Sequence, residues 1–586
     1  MLGPGATGPR PSRASTGALP LTPWSRVSRS ARRGTARACA RAVPCTDRAT
    51  LRSRCLRHAP LALLAVTSAS RLHLFGRAGD HAFVSARHRR CVVLRGERAE
   101  TLARARALIG DTTDALWPGD DVHAALGTAF AAVVLALHDG LSADDLGAAS
   151  GLVRGGGLFV VCAPAVMPPH EALVVHPYAA GDVGDRFWRR VLARLDAVAA
   201  QGDDLAWTPP AACAARGTDE QRAVVERLVQ RWRSGQATRT ALLAGRGRGK
   251  SSALGLALRA LDGDGRRVVV TAARRDAAVE VVRFAGDGPA FVEPTMLVRA
   301  ADDVDIIVVD EAAQLPVPLL RALVARHPRA HFAFATTTHG YEGTGRGFVV
   351  RFLAALDDVE TLRLATPVRW DAGDPVEAAV NDALLLDVDI DDRVALRGTT
   401  PEPVVLDRAM LAGDERLLRG LFGLLVHAHY RTTPGDLQRL LDAPNLAVHA
   451  IVDDGVVLGA TLVAREGGLP ADVCASLASG RRRIRGHALA DTLISHAGRS
   501  DAGALTMIRS VRIAVHPVAR RRRLARALVD HVHATYAPDL FGTVFGATAE
   551  VLRFRREVGY EVVRLGVTRG ARSGEPSVVM LRPQTP

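Results

Sequence analysis

Nine consecutive residues, Ala244-Gly245-Arg246-Gly247-Arg248-Gly249-Lys250-Ser251-Ser252, have the types and spacing to hold a polyphosphate. Glycines there leave backbone N–H groups free to cradle phosphate oxygens, and a helix starting just after them would add positive potential. Lys250 would reach the outer phosphates and the Ser251 hydroxyl would take a magnesium ion, as at the end of a Walker A motif. The opening glycine of that motif is Ala244 here. The chain holds 76 Lys and Arg together, and Lys250 is the only Lys. Arg is a planar fork, whereas Lys is a compact charge on a flexible stem. A sequence that spends Arg at every other basic position therefore keeps Lys where the exchange is rejected. About sixty residues on, the run Asp305-Ile306-Ile307-Val308-Val309 ends in Asp310-Glu311. Paired acids past the end of a buried strand sit where α/β sheets bind ligands. Asp310 would hold the magnesium and Glu311 would polarise the attacking water, a Walker B pattern.

These groups need a scaffold. Thr240–Leu243 reads as a buried strand before the glycine turn, and Ala253–Leu258 as the start of a helix. Thr218-Asp219-Glu220-Gln221 opens an earlier helix, with Thr218 at its N-cap. Gln221 then has two readings: the reciprocal half of that capping box, or a hydrogen-bonding group for an adenine edge. Phe332–Thr338 is another strand whose polar end would sit near the γ-phosphate. The glycine-rich run 339–348 follows, and it reads either as a mobile loop or as one in which Arg346 would clamp a phosphate or couple nucleotide state to RNA. Strands alternating with helices predict a parallel sheet, an α/β domain over 215–395.

Composition bounds the rest. The net charge is +15, but residues 1–60 hold twelve Arg and a single acid, Asp47, so most of that charge is N-terminal. Residues 1–65 show no hydrophobic period and read as a disordered Arg-rich segment or a mis-called start, with a basic RNA-binding arm and a targeting peptide as alternatives. The seven Cys are scattered without a C-x-x-C pair, which argues against a disulfide framework or a zinc site and suits a reducing cytoplasm. No run of eighteen apolar residues occurs, so no membrane span is expected. Residues 66–175 read as a small α/β domain with strands at 90–95, 131–135 and 158–162 and a tight turn at Gly155-Gly156-Gly157. Residues 176–214 read as a helical linker. Its helix 185–198 carries Arg186, Arg190 and Arg194 on one face, either solvated or turned to RNA.

The strings GRGRGKS, VDEAAQLPVPLL, HGYEGTGRGF and PVRWDAGDPVE resemble the ATPase module of tRNA(Met) cytidine acetyltransferases and their eukaryotic RNA cytidine acetyltransferase relatives. The resemblance implies a RecA- or helicase-like P-loop fold that binds ATP through Gln221, residues 244–252 and Arg369, with Arg369 as a γ-phosphate contact. It extends over residues 400–586 to a GNAT acetyltransferase domain. His427–Pro434 is similar to that domain's opening helix and loop. Ser510–His516 would be the strand that carries acetyl-CoA, bound by the main chain of Ile513, Ala514 and Val515. The turn and helix start at Arg520, Arg521, Arg522, Arg523, Leu524, Ala525 and Arg526 would take its pyrophosphate, helped by charge-assisted contacts. The family reads Q-x-x-G-x-G/A in that turn, and Arg520, Arg523 and Ala525 stand at those positions. Glu550 falls on a cofactor contact. Glu557 falls on another, where the family tends to be basic. Arg481, Arg482, Arg483 and Arg485 resemble a segment near the RNA-facing side. Family members continue into a further tail that helps hold tRNA, whereas this sequence ends at Pro586.

The reading is therefore a multidomain α/β protein: a small α/β N-terminal domain, a P-loop ATPase domain and a GNAT domain. The implied reaction is ATP-dependent formation of N4-acetylcytidine, at the wobble cytidine of elongator tRNA(Met), with acetyl-CoA and Mg2+. The exocyclic amine is a poor nucleophile, so placement against the thioester matters more than a strong base. His516 is the candidate to remove the proton, its alternative being a packed histidine before Pro517. A helicase-like RNA-dependent ATPase with a degenerate acetyltransferase half is one rival. An N-acetyltransferase for proteins or small molecules with a regulatory ATPase is another.

Overall fold

Three groups of apolar strands become three sheets. They are seen in a computed structural model that describes residues 87–140, 142–200, 206–211, 217–286, 288–299, 303–338, 352–391, 393–394, 396, 401–429, 431–570 and 573–584, all within the unit Thr67–Pro586. The expectations for 1–65 and for Arg346 lie outside the described residues. Among the described residues, no helix is long and apolar enough to cross a membrane.

The first sheet holds β1 (Arg90–Arg95), β2 (Ala115–Leu116), β3 (Phe130–Ala136) and β4 (Val153–Ala163), in the order β1-β4-β3-β2 and all parallel. Gly155-Gly156-Gly157 is not the turn its composition suggested. It lies inside β4, and the pairing slips between Phe130 and Ala132 to leave a bulge there. Gly156 takes the positive φ of 76° that the bulge requires. Gly155 brings two other backbones close: its N–H donates to Arg369 O at 2.7 Å.

The second sheet holds β5 (Arg239–Ala244), β6 (Val268–Thr271), β7 (Ala290–Phe291), β8 (Ile306–Val309), β9 (His331–Thr337) and β10 (Val359–Leu364). Its order is β10-β5-β9-β8-β6-β7, again all parallel. The buried, β-branched and leucine-rich strands reflect a sheet covered on both faces. Strand β9 lies between β5 and β8, so Thr337 ends up between the phosphate loop and the paired acids.

The third sheet holds β11 (Val404–Leu406), β12 (Leu446–Asp453), β13 (Val456–Gly467), β14 (Thr506–Val515), β15 (Leu540–Gly546), β16 (Glu561–Arg569) and β17 (Pro576–Pro583), in the order β11-β12-β13-β14-β15-β17-β16. Asp454 and Gly455, both at positive φ, turn β12 into β13 as an Asp-Gly hairpin should. All pairs are antiparallel except β14 with β15. That parallel pairing covers only Met507–Ser510 against Leu540–Thr543, after which the two strands diverge.

The segment expected to be a linker is part of a core. Helix Arg186–Asp196 buries Phe187, Trp188, Val191 and Leu195. These join one apolar cluster with Phe159 of β4, Leu384 of helix Pro375–Leu384, Leu421 of helix Glu415–Ala428 and Leu462 of β13. Two of its three spaced arginines are engaged within the chain. Arg190, whose side chain is 8% exposed, donates to Ala383 O at 3.0 Å and Asp382 O at 2.6 Å, and pairs with Glu415. Arg194 pairs with Asp382 and Glu415. Arg190 and Arg194 therefore stitch three helices together.

Candidate active site

The phosphate loop closes on its own residues. Thr218 caps helix Asp219–Trp232, and Gln221 completes the capping box. The same Gln221 amide, 2% exposed, donates to Gly249 O at 3.0 Å and Ser252 Oγ at 3.2 Å. Both halves of its amide are thus used within the chain, and an adenine contact would require those bonds to be exchanged. Gly249 has φ 75°, and a Cβ there would lie 2.0 Å from Gln221 Nε2, so any other residue would be strained and would displace the Gln221 amide. Ala244 is the buried last residue of β5, so the motif's first position is filled by a strand end, which does not need glycine. Ser252 Oγ donates to Gly249 O at 2.9 Å, and Gly245 leads into the turn. Arg248 donates to Arg246 O at 2.6 Å and pairs with Glu377.

Lys250, Ser251, Asp310, Glu311 and Thr337 meet at this loop. Lys250 Nζ is 2.8 Å from Thr337 Oγ1 and 3.3 Å from Glu311 Oε1. Ser251 Oγ donates to Asp310 Oδ2 at 2.7 Å. Asp310 is fully buried. Burial first, then the Glu311 carboxylate, push it up to about 7, against the pull of Lys250 and the Ser251 hydrogen bond. Glu311 stands at φ 43°, ψ 48°, a left-handed conformation costly for a side chain with a Cβ. A serine hydroxyl and a buried carboxylate already in contact form a donor pair that fits a hard divalent cation.

Arg369 is half-buried, and its guanidinium is directed elsewhere. It donates to Gly151 O at 2.8 Å and Gly127 O at 3.3 Å, although Val368 N bonds Gly247 O at 2.9 Å. Arg246 donates to Gly147 O at 3.0 Å, and Arg89 donates to Ser150 O. Three guanidinium groups thus converge on the C-terminal end of helix Ala143–Ser150, where the last carbonyls and the helix dipole attract cations. Burial and then Arg246 push Arg369 down to about 10. A phosphate contact by Arg369 would require it to leave these carbonyls.

The second half of the site is a fork in the third sheet. Leu462 faces Arg512 and Val463 faces Ser510, so Val511 bulges where β14 parts from β15. Beyond it Ile513, Ala514 and Val515 pair with Thr461, Ala460 and Gly459 of β13. The described ladder with β15 ends at Ser510, which leaves the fork side of that strand for a ligand's amides. The turn at the far end is strained: Arg521 has φ 65° and Arg523 φ 62°, with Arg523 at the N-cap of helix Leu524–Thr535. Arg523 therefore adopts the left-handed conformation that glycine adopts freely. Arg520, Arg521, Arg522 and Arg523 are exposed beside the helix start, and Ala525 lies in its first turn. Arg526 donates to Glu557 O at 2.7 Å, so Glu557 is tied to the turn through its main chain while its side chain stays exposed.

A cavity of about 610 Å³ opens at this fork. Arg512, Ile513, Thr543, Phe545, Glu550 and Arg555 line it from the third sheet and its last helix, Ala549–Glu557. Ala313, Leu315, Val317 and Pro318, which directly follow the paired acids, line its other side. A Cβ at Gly574 would lie 2.9 Å from Pro316 and 3.0 Å from Pro318, so Gly574 seats on that proline pair. His516 is not brought here. It is 3% exposed, with its backbone N–H on Leu458 O, and it does not line the cavity. His429 and Arg555 do line the cavity and were not singled out from the sequence. The loop after His429 is fixed by Arg512, which donates to Thr432 Oγ1 at 2.8 Å and pairs with Asp436 at 2.7 Å. Arg481, Arg482, Arg483 and Arg485 are exposed and do not line it.

Fold and site together define a P-loop ATPase whose segment after the paired acids walls the cavity of a GNAT-type domain. Residues 241–387 match the family described as RNA cytidine acetyltransferase NAT10/TcmA, helicase domain. Residues 79–200 match tRNA(Met) cytidine acetyltransferase TmcA, N-terminal, and residues 420–537 match GNAT acetyltransferase 2. The tRNA(Met) cytidine acetyltransferase TmcA of Nitrosococcus halophilus is 36% identical over 564 residues, covering 85% of this chain and 75% of that protein. The protein of the same name in Haloferax volcanii is 39% identical, over 78% of this chain and 69% of that one. The chain belongs to the tRNA(Met) cytidine acetyltransferase family.

Proposed function

We propose that this protein uses ATP and acetyl-CoA to acetylate the N4 amine of cytidine in RNA, at the wobble position of elongator tRNA(Met). The observation that carries the reading is the shared cavity. One wall is a forked strand suited to a thioester's amide-rich arm, and the other begins two residues past Glu311. Lys250 and the loop N–H groups would bind the polyphosphate, and Ser251 and Asp310 would hold Mg2+. Glu311 would orient water, and Arg369 would reach the γ-phosphate after leaving Gly151. Ile513–Val515 would hold the acyl donor by its main chain, and the arginines at 520–523 would meet its pyrophosphate. Glu550, which lines the cavity, would contact the acyl donor. Arg481, Arg482, Arg483 and Arg485 remain an exposed basic surface for RNA. The cytoplasm is the proposed location.

A shift in Glu311 moves the chain that follows it. Nucleotide turnover thereby changes the wall against which the cytidine is presented. A loop cytidine is cheaper to extrude than a paired one, which costs a few kcal/mol. The test is transfer of labelled acetyl from acetyl-CoA to tRNA(Met), with and without ATP. Wild type should label the tRNA only with ATP, and Lys250→Ala should not label it. Labelling by Lys250→Ala at the wild-type rate without nucleotide refutes the coupling, and ATP hydrolysis with no transfer favours an ATPase alone.

A further inference from the structure

Arg555 lies on the helix that closes the fork and is 4% exposed. Its Nη2 donates to Ser510 Oγ at 2.8 Å, while Nε and Nη1 are buried without a hydrogen-bond partner. Among the described residues, no carboxylate pairs with it; its neighbours are the rings of Phe554 and Tyr560, at 5.6 and 5.5 Å. Buried charges are ordinarily paired, and an orphaned one calls for an explanation. Burial lowers its pKa, yet guanidinium keeps its charge at any physiological pH. The cavity it lines thus carries a fixed cation waiting for an anion.

Its position says which anion. Ser510, the residue it grips, is the last of β14 to pair with β15. The arginine-rich turn lies beyond the other end of the diverged stretch, about 16 Å from Ser510 at ~3.3 Å per residue. An acyl donor with its pyrophosphate at that turn and its arm along Ile513–Val515 brings its sulfur to the fork. The transfer makes an anion at that atom. Cytosine N4 attacks the acetyl carbon, the N–C bond forms, the C–S bond breaks, and its electron pair goes to sulfur. N4 gives up one proton to water.

We infer that Arg555 is a catalytic residue that receives the thiolate of coenzyme A at the closed end of the fork. The inference rests on the proposed path of the acyl donor along β14. Arg555 donates hydrogen bonds to sulfur without giving up a proton, so the thiol is re-formed only on release to water. It also gives product a reason to linger, because free coenzyme A can ionise in place and acetyl-CoA cannot.

The experiment uses the full chain, with coenzyme A and desulfo-coenzyme A as probes. Ionisation of the bound thiol is followed by its ultraviolet absorbance as pH is raised, and binding of both probes by calorimetry. On wild type the bound thiol should ionise about one to three pH units below its value in free coenzyme A. Arg555→Met should abolish that difference, and Arg555→Lys should keep part of it. Desulfo-coenzyme A should bind wild type and Arg555→Met equally. Replacing an unpaired buried charge by an apolar side chain of similar length should not harm folding. Identical thiol ionisation in wild type and Arg555→Met overturns the inference. So does loss of desulfo-coenzyme A binding in Arg555→Met, which would make Arg555 an anchor of the arm. Failure of wild type to bind desulfo-coenzyme A instead refutes the path along β14.

Discussion

Gly155 links the first sheet to nucleotide chemistry that it never touches. A Cβ at this position would lie 2.7 Å from Arg87 O and 2.9 Å from Arg369 O. Ordinary contact begins at 3.4 Å, so Gly155→Ala falls short by 0.7 and 0.5 Å. Both obstacles are main chain and cannot rotate away. The φ at Gly155 is not positive, so the alanine adds no conformational strain of its own. Overpacking of this kind costs about 1–3 kcal/mol. The strain should be relieved partly by moving the Arg369 backbone, which Gly155 N–H now holds at 2.7 Å. Misplacement by 1 Å can cost ~100-fold in rate, so a displacement of about half that predicts roughly tenfold slower ATP hydrolysis. The assay is steady-state hydrolysis with saturating ATP and tRNA, alongside a denaturant titration. Gly288→Ala, with nothing within 4 Å of its Cβ, is the control and should change neither. A destabilised Gly155→Ala protein that hydrolyses ATP at the wild-type rate would refute the role given to Arg369. If stability is also unchanged, the packing itself is refuted.

Asp374→Ala should be the costlier change to stability. That carboxylate is fully buried, pairs with Arg89 at 2.8 Å and caps helix Pro375–Leu384 through Glu377 N at 2.8 Å. Removing one partner of a buried pair costs about 3–5 kcal/mol, and a denaturant titration should show Arg89→Met/Asp374→Leu less destabilised than Asp374→Ala. Glu311→Gln should retain ATP and lose hydrolysis, read as nucleotide bound per chain against phosphate released; hydrolysis at the wild-type rate would remove Glu311 from the water's path. Acid should destabilise the protein through His449, whose pKa burial, then His531 and Arg465, lower to about 4 from 6.5. Folded His449 binds its proton more weakly than the unfolded chain does. Its contribution is therefore whole above pH 6.5 and is lost as pH falls towards 4, by about 2–3 kcal/mol after allowing for solvent screening. His449→Phe should flatten that limb of a stability–pH profile.

The nucleotide half was legible because its chemistry is local. A strand, a glycine turn and a helix fall within one short run, and two acids end another, so spacing alone predicted that Ser251 and Asp310 would meet. Strand β14 was expected from the family resemblance, whereas its fork, set by the bulge at Val511 and the short pairing with β15, was not. What could not be read were partners set by tertiary packing. Arg186, Arg190 and Arg194 have the period of an outer helix face, and only the fold brings Asp382 and Glu415 against Arg190 and Arg194. Gly155-Gly156-Gly157 has a turn's composition, but what demands small residues there is the close approach of Arg87 and Arg369. His516 was chosen for its chemistry next to a functional strand, yet it is 3% exposed and does not line the cavity. Arg555 stands in sequence between Arg553 and Arg556, and only its burial in the fold sets it apart from them.

The proline step from Pro316 to Pro318 has a consequence for dissecting the molecule. Cut between 395 and 400, the C-terminal piece would keep every strand of its sheet but lose one side of the cavity proposed for acyl transfer. The N-terminal piece would expose Leu384 and its neighbours to water. Neither fragment reports on the intact enzyme, and a chimera that swaps one half must carry the opposing surface with it.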